Sequence, residues 1–326
     1  MNPLAKVTMQ DIADHLGISK NSVSQALRDK KGVSDATKKD VMAAATSLGY
    51  HYAERATKQH FILFATEFAL SQTSFFGEIV KSIQDKCSDL NGQLTIQEIR
   101  QEHIDTLTIP VDLTLYDGII VLSHSDNRYI KQLIDSQLPT VIVDHHDPLL
   151  AADAILTKNT DGVFSAVALL HEHQYQTIGF IGDITFSPSY LERYRGFKRA
   201  LEHFSLPFAS EFIITEIEES QGALFTKLNQ LKTQPDAWFC ANSGLAFMLN
   251  SYLQSKGLII PKDIAIICFD NTEFTRMSQP KITNVATDLT FMGELAVDTL
   301  LDRTAHPSAP FVHKQIVPSM TLYDSI

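Results

Sequence analysis

Lys20, Asn21 and Gln25 fall within one short stretch, KNSVSQAL (20–27), and offer a cation and two amides that each donate and accept. That combination suits phosphate oxygens and base edges in the major groove of a duplex. At helical spacing Val23, Ala26 and Leu27 fall on the opposite face, which leaves the three polar side chains pointing outward. A helix this short needs a neighbour to fix its angle, and the preceding residues supply one. Ile12, Ala13 and Leu16 have a helical apolar spacing, and Gly17 stands where a left-handed residue ends a helix. Ser19 then offers an N-cap hydroxyl to the second helix. Residues 8–27, TMQDIADHLGISKNSVSQAL, therefore read as a helix-turn-helix. A generic helical pair with a solvated polar face would show the same pattern, and the next segment of the chain separates the two. Ser34 caps a third periodic segment, SDATKKDVMAAATSLGY, with Val41, Met42, Ala45 and Leu48 as its apolar face and Lys38 and Lys39 outside. Three compact helices in about the first 50 residues make a complete small DNA-binding domain.

The charge is divided accordingly. The chain of 326 residues carries a net charge of −11. Residues 1–60 hold nine Lys and Arg against six Asp and Glu, whereas residues 61–326 hold 18 against 32. A basic head on an acidic body confines phosphate contact to the head. The three cysteines, Cys87, Cys240 and Cys268, are far apart with no CxxC spacing, which fits reduced thiols. No signal peptide is read at the N-terminus, and no apolar run reaches the length of a membrane span. The expected location is the cytoplasm, with no membrane partner.

HYAERATKQH (51–60) reads as a polar connector. Beyond it apolar strand-like runs alternate with amphipathic helical segments. The strands are expected at 61–66, 93–99, 117–122, 140–144, 177–183, 211–217, 237–242 and 264–270. The helices are expected at 75–90, 128–137, 161–173, 189–204, 222–232, 245–257 and 292–303. Alternation with nearly continuous apolar strands implies doubly wound parallel sheets. About 266 residues are too many for one such sheet, so two lobes are expected. The tail, FVHKQIVPSMTLYDSI, is expected to add a last strand to one lobe. Ligands of open α/β lobes sit at the carboxyl ends of strands, where strand order reverses. That directs attention to residues 67–76, 123–127, 144–148, 159–161, 183–193, 242–244 and 270–274.

Other chemistries are poorly served. Asp144-His145-His146-Asp147 invites a metal reading but has no fixed spacing to further ligands, so no metal or cofactor is expected. His171 and His173 fall near a helix C-terminus, where a solvated place beside the helix dipole suffices. No GxSxG, P-loop, HExxH or GxGxxG occurs. A sugar-processing enzyme with a DNA-binding head would have to use Asp270 with Asp144 or Asp161, and the expectation is that the chain is not an enzyme.

The segment from Val7 to Tyr50 resembles the N-terminal domain of the lac repressor-type (LacI/GalR) family of bacterial transcription regulators, through the helix-turn-helix, the G-V-S start of the third helix and its L-G-Y end. The resemblance runs through nearly the whole chain. It implies a small all-α helix-turn-helix head plus an α/β body of two doubly wound parallel-sheet lobes, like periplasmic binding proteins. The expected division is 1–50 for the head, 51–60 for a short hinge and 61–326 for effector binding and dimerisation. Lobe 1 is expected at about 61–157 and 286–316, and lobe 2 at about 158–285 and 317–326. The residues expected to face DNA are Thr8, Ser19, Lys20, Asn21, Ser22, Ser24, Gln25 and Arg28. By similarity, Arg193, Asn242 and Asp270 would hold the polar groups of a small effector, with Phe75 and Phe76 against its ring and Asp161 as a further candidate. Taken singly, Phe75 and Phe76 fit core packing as well as stacking. The resemblance implies a homodimer, possibly a higher oligomer, on double-stranded pseudo-palindromic operator DNA. It also implies repression set by a sugar or sugar derivative. A co-repressed regulator with a purine-type ligand and an effector-independent DNA binder are the alternatives.

The chain departs from this pattern in three places. The segment after Tyr50 has no Pro, Asn or Leu, so nothing apolar remains to wedge into a minor groove and kink the duplex. Gln25 stands where many relatives have Arg, which favours adenine over guanine. Ser243 stands for an Asp and removes a charge beside Asn242.

Overall fold

A computed structural model describes residues 7–27, 32–48, 50 and 59–326. The head forms three helices, α1 (Met9–Leu16), α2 (Lys20–Leu27) and α3 (Asp35–Ser47). A capping box starts α1: the Thr8 hydroxyl accepts from the Asp11 amide, and the Asp11 carboxylate accepts from the Thr8 amide at 2.7 Å. Gly17, at φ +63°, closes it. The Ser19 hydroxyl accepts from the Ser22 amide at 3.0 Å, and Ser34 caps α3 from Thr37. Ile12, Ala13, Val23, Ala26, Leu27, Val41, Ala44, Ala45 and Tyr50 form one small core. Met42, expected in that core, is 47% exposed, and Ala44 takes its place. The spacing 41, 44, 45, 48 keeps one face inward, and position 42 lies off it.

The body contains two six-stranded sheets. The first draws on β1 (His60–Thr66), β2 (Gln93–Ile99), β3 (Gly118–Leu122), β4 (Thr140–Val143), β5 (Asp153–Thr157) and β11 (His313–Ile316). The second draws on β6 (Ile178–Ile181), β7 (Ile213–Ile214), β8 (Ala237–Cys240), β9 (Ala265–Phe269), β10 (Thr283–Ala286) and β12 (Ser319–Thr321). Their orders are β11-β5-β4-β3-β1-β2 and β12-β10-β9-β8-β6-β7, with every pairing parallel except β10 with β12. The two lobes repeat one winding, and strand order reverses between β1 and β3 and again between β6 and β8. The central strands are wholly apolar and buried because helices cover both faces.

β10 and the short helices Glu67–Ser71, Gln101–Thr106 and Glu273–Met277 have no counterpart in the expected pattern, and three further differences each have a simple reason. β5 has no counterpart among the expected strands: it opens on Asp153, whose buried carboxylate takes Arg303 at 2.7 and 3.0 Å and the Val312 amide at 2.8 Å. A buried ion pair puts a charged letter where a strand pattern wants an apolar one. The strand expected at 211–217 shrinks to Ile213–Ile214 because Ser210–Phe212 winds a 3-10 turn at the sheet edge. The tail supplies two strands instead of one, with Val317 and Pro318 between them, so it serves both sheets.

Three segments cross between the lobes: after β5, after β10, and between β11 and β12. They run side by side. The Thr157 and Thr287 hydroxyls are 2.9 Å apart in a buried contact, and the Lys158 amide donates to the Ile316 carbonyl at 2.9 Å.

Candidate functional site

A cavity of about 470 Å³ lies where the carboxyl ends of the two sheets face each other. Its volume is in the range of a small-ligand site. Phe68 follows β1, Ser123 and His124 follow β3, Phe186 follows β6 and Asn242 follows β8, so both reversal points open into it. Ser123, Asp144 and Asp270 each come directly after a buried parallel strand, and each has a left-handed backbone, with φ of +67°, +59° and +70°. Outside glycine that conformation is uncommon, and here it turns three polar side chains off the strand ends toward the cavity.

The second lobe presents a polar floor already bonded together. Helix Pro188–His203 packs tightly on helix Asn159–Glu172: a Cβ on Gly196 would lie 2.7 Å from the Thr160 carbonyl oxygen. This close approach places Arg193, 3% exposed, beneath the cavity. Its Nε donates to Asn159 Oδ1 at 2.9 Å, its Nη1 to the Ala241 carbonyl at 2.6 Å, and Nη1 and Nη2 to the Asp270 carboxylate at 3.1 and 3.3 Å. The guanidinium also lies 3.8 Å from the Phe269 ring centroid. Burial raises the Asp270 carboxyl, and Arg193 opposes it. Asn242 caps helix Ser243–Ser255 by accepting from the Leu245 amide at 2.7 Å, while its Nδ2 donates to the Tyr190 hydroxyl and to Glu219 Oε2, the latter at 2.8 Å. Ser243, which replaces the charged residue of the family pattern, is buried against the Thr272 hydroxyl at 2.7 Å.

The first lobe's face differs. Phe68, Phe75 and Phe76 come from the chain after β1 and His124 from the end of β3. Phe68 meets Phe186 of the other lobe edge-on at 5.0 Å between centroids, and His124 meets Phe186 at 5.3 Å. Asp144 lines the cavity between this aromatic wall and the Arg193–Asp270 pair. Burial pushes its carboxyl up to about 7, with Arg193 pulling the other way.

Of the effector residues expected from the sequence, Phe75, Phe76, Arg193, Asn242 and Asp270 line this cavity together. Asp161 does not. Its carboxylate pairs with Lys158 at 2.6 Å on a half-exposed helix start, because the first turn of that helix turns position 161 away from the strand ends. Asp144, Ser123, Phe68, Phe186, Tyr190 and Glu219 line it without being among the expected effector residues. The tract that suggested a metal is dispersed. Asp144 faces the cavity, His145 Nε2 lies 3.2 Å from Asn127 Oδ1, and Asp147 accepts from Asn127 at 2.8 Å.

In the head, Ser19, which precedes α2, and Lys20 and Asn21, which begin it, are exposed, and Ser22 and Gln25 are half-buried. Thr8 is committed to the cap of α1. Asn21 Oδ1 accepts from the Thr114 hydroxyl of the body at 3.1 Å. Ser24 is a correction: it is 4% exposed, and the face of α2 that carries Val23 and Leu27 takes it inward rather than toward a groove. Arg28 and the connector at 51–58 lie outside the described residues.

Helix-turn-helix head, repeated α/β winding and interlobe cavity together define a DNA-binding regulator with a ligand-binding body. Comparison with known proteins agrees. Residues 8–52 match the family described as bacterial regulatory proteins, lacI family, and residues 167–325 match a periplasmic binding protein-like domain. The HTH-type transcriptional repressor PurR of Mannheimia succiniciproducens is 26% identical over 333 residues, covering 98% of each chain. Two solved structures share the fold. One is the transcriptional regulator CelR in complex with cellobiose, with TM-score 0.72 and 20% identity over 98% of this chain and 100% of that one. The other is the lac repressor dimer bound to operator and the anti-inducer ONPF, with TM-score 0.71 and 20% identity over 98% of each. The helix-turn-helix segment at 8–52 thus matches the lacI family of bacterial regulatory proteins, and the relatives similar over nearly the whole chain are repressors of that type.

Proposed function

We propose that this protein is a transcriptional repressor whose operator affinity is set by a small sugar-like effector held between its two lobes. One observation carries the reading: a helix-turn-helix head is joined to a body whose two strand-reversal points open into a single cavity. The head (1–50) reads the operator, 51–60 connects, and lobe 1 (about 61–157 and 286–316) and lobe 2 (about 158–285 and 317–326) close on the effector. A homodimer places two heads on a pseudo-palindrome in the cytoplasm. No helix among the described residues is long and apolar enough to cross a membrane. Lys20, Asn21 and Gln25 carry base and phosphate contact, with Ser19 and Ser22 beside them. The effector acts only through its different affinity for the two head arrangements. The aromatic wall of Phe68, Phe76 and Phe186 favours a flat ring and supports a purine-type co-repressor as the second reading.

The test begins with selection of duplexes from a random pool on the full chain, followed by anisotropy on the selected site with and without a panel of sugars and nucleobases. A palindromic site and a change of at least tenfold with one ligand are expected. A chain that prefers no duplex over random DNA ends the proposal. At the base facing Gln25 the selected site should carry adenine, and Gln25→Arg should move the preference to guanine by about 1–3 kcal/mol. Permuted-site gel mobility should show little central bend, since the connector has no Leu to intercalate.

A further inference from the structure

If the interlobe cavity holds the effector, as proposed above, its polar inventory identifies the ligand's class. On the second lobe's floor the donors are almost all spent inside the protein, while Gln72, Ser74 and Gln221 also line the cavity. Of the five N–H groups of Arg193, four are committed, to Asn159, Ala241 and Asp270. Asn242 has given both amide hydrogens to Tyr190 and Glu219 and its carbonyl to a helix start. Ser243 and Thr272 bond each other. What remains around Arg193 and Asp270 are acceptors. The Asp144 carboxylate faces the cavity with no hydrogen-bond partner among the described residues, and the Glu219 and Asp270 oxygens retain unused lone pairs. The wall above them is aromatic: Phe68, Phe76, Phe186 and Tyr190, with neighbouring rings 5.0 to 6.2 Å apart.

With a neutral ligand Asp144 must either keep its proton or stay charged and desolvated when the lobes close, so its carboxylate contributes no ionic contact. A cation cancels it and is attracted by aromatic faces as well. We propose that the cleft takes a ring-shaped ligand bearing a protonated amine, with the amine on Asp144 and the ring against the Phe68–Phe186 wall. The groups facing Asp144 support this balance. Arg193 is neutralised by Asp270, Glu192 adds negative charge, Tyr190 is neutral, and burial pushes the His124 imidazole down, so it is uncharged at neutral pH. The empty cleft therefore holds a proton on Asp144 below about pH 7, and a bound amine replaces it.

Calorimetry on the full chain tests this with matched pairs that keep shape and remove charge: D-glucosamine against D-glucose and N-acetyl-D-glucosamine, and tyramine against 4-ethylphenol. The amine of at least one pair should bind roughly tenfold tighter than its neutral counterpart, strengthen roughly tenfold from about pH 5.5 to about pH 7, and lose that preference in Asp144→Asn. A second measurement needs no ligand. A carboxyl whose folded value is raised costs stability as pH rises from its ordinary value toward about 7. Asp144→Asn should therefore raise the melting temperature at about pH 8 and leave it unchanged near about pH 4. A fall at about pH 8 would show that the carboxylate is already compensated and overturns the proposal. Neutral compounds that bind as well as the amines, and shift operator affinity, overturn it while leaving the effector cleft standing. If no probe of either kind binds and operator affinity never responds, both fall.

Discussion

The two walls of the cleft are built on opposite plans. The second lobe's wall is a closed network: Arg193, Asp270, Asn242, Glu219 and Tyr190 hold one another, and the pieces come from one helix, Pro188–His203, and from the chain after β7, β8 and β9. The first lobe's wall is open, with aromatic rings and an Asp144 carboxylate that bonds nothing among the described residues. The same winding, repeated in both lobes, thus yields one rigid platform and one face free to form new bonds. Shape is fixed on one side, and selectivity is left to the other.

The largest expected break is Arg193→Ala. It strands the buried Asp270 carboxylate, so a loss of about 3–5 kcal/mol in urea unfolding is expected. A loss below about 1 kcal/mol would mean that the platform is not held by this pair. Asp270→Ala is equally disruptive because it leaves Arg193 buried and unpaired, so Asp270→Asn is the cleaner probe. It should cost about 1–3 kcal/mol of stability, and its effector response, read by operator anisotropy, should weaken. On the open wall, Phe68→Ala removes the edge-on contacts to Phe186 and Phe76, each worth about 0.5–1.5 kcal/mol. Small-angle scattering should then show wider separation of the ligand-free lobes, with stability changed less than in either platform variant. Thr157→Val, at the crossing of the lobes, should have the smallest effect, about 1 kcal/mol, on the thermal midpoint.

Sequence patterning foretells the platform better than the open wall, for a physical reason. Strands buried on both faces must be apolar, so β3, β4, β6, β8 and β9 stand out, and the residues after them point to the cavity. The family resemblance marks Asp270 after Phe269, and Asn242 after Cys240 and Ala241, as well. Asp144 follows Val143 in the same way, but it sits in a tract whose histidines suggest a metal, and only its left-handed backbone shows that it leaves that tract. Asp161 fails for the converse reason: β5 runs almost directly into a helix, and one turn carries position 161 away. Glu219 is out of reach of the pattern because the strand before it reads as long, and a 3-10 turn at the edge shortens it.

The lateral contact of the three crossovers limits what a ligand can do to the whole molecule. Three strands of chain bridged by Thr157–Thr287 and Lys158–Ile316 form a ribbon, not a point pivot. A ribbon folds about a single line and resists twisting, so opening and shutting form one soft coordinate. The head hangs from β1, on one flap only. Within one chain, what the other flap does is connected to the head through that crease.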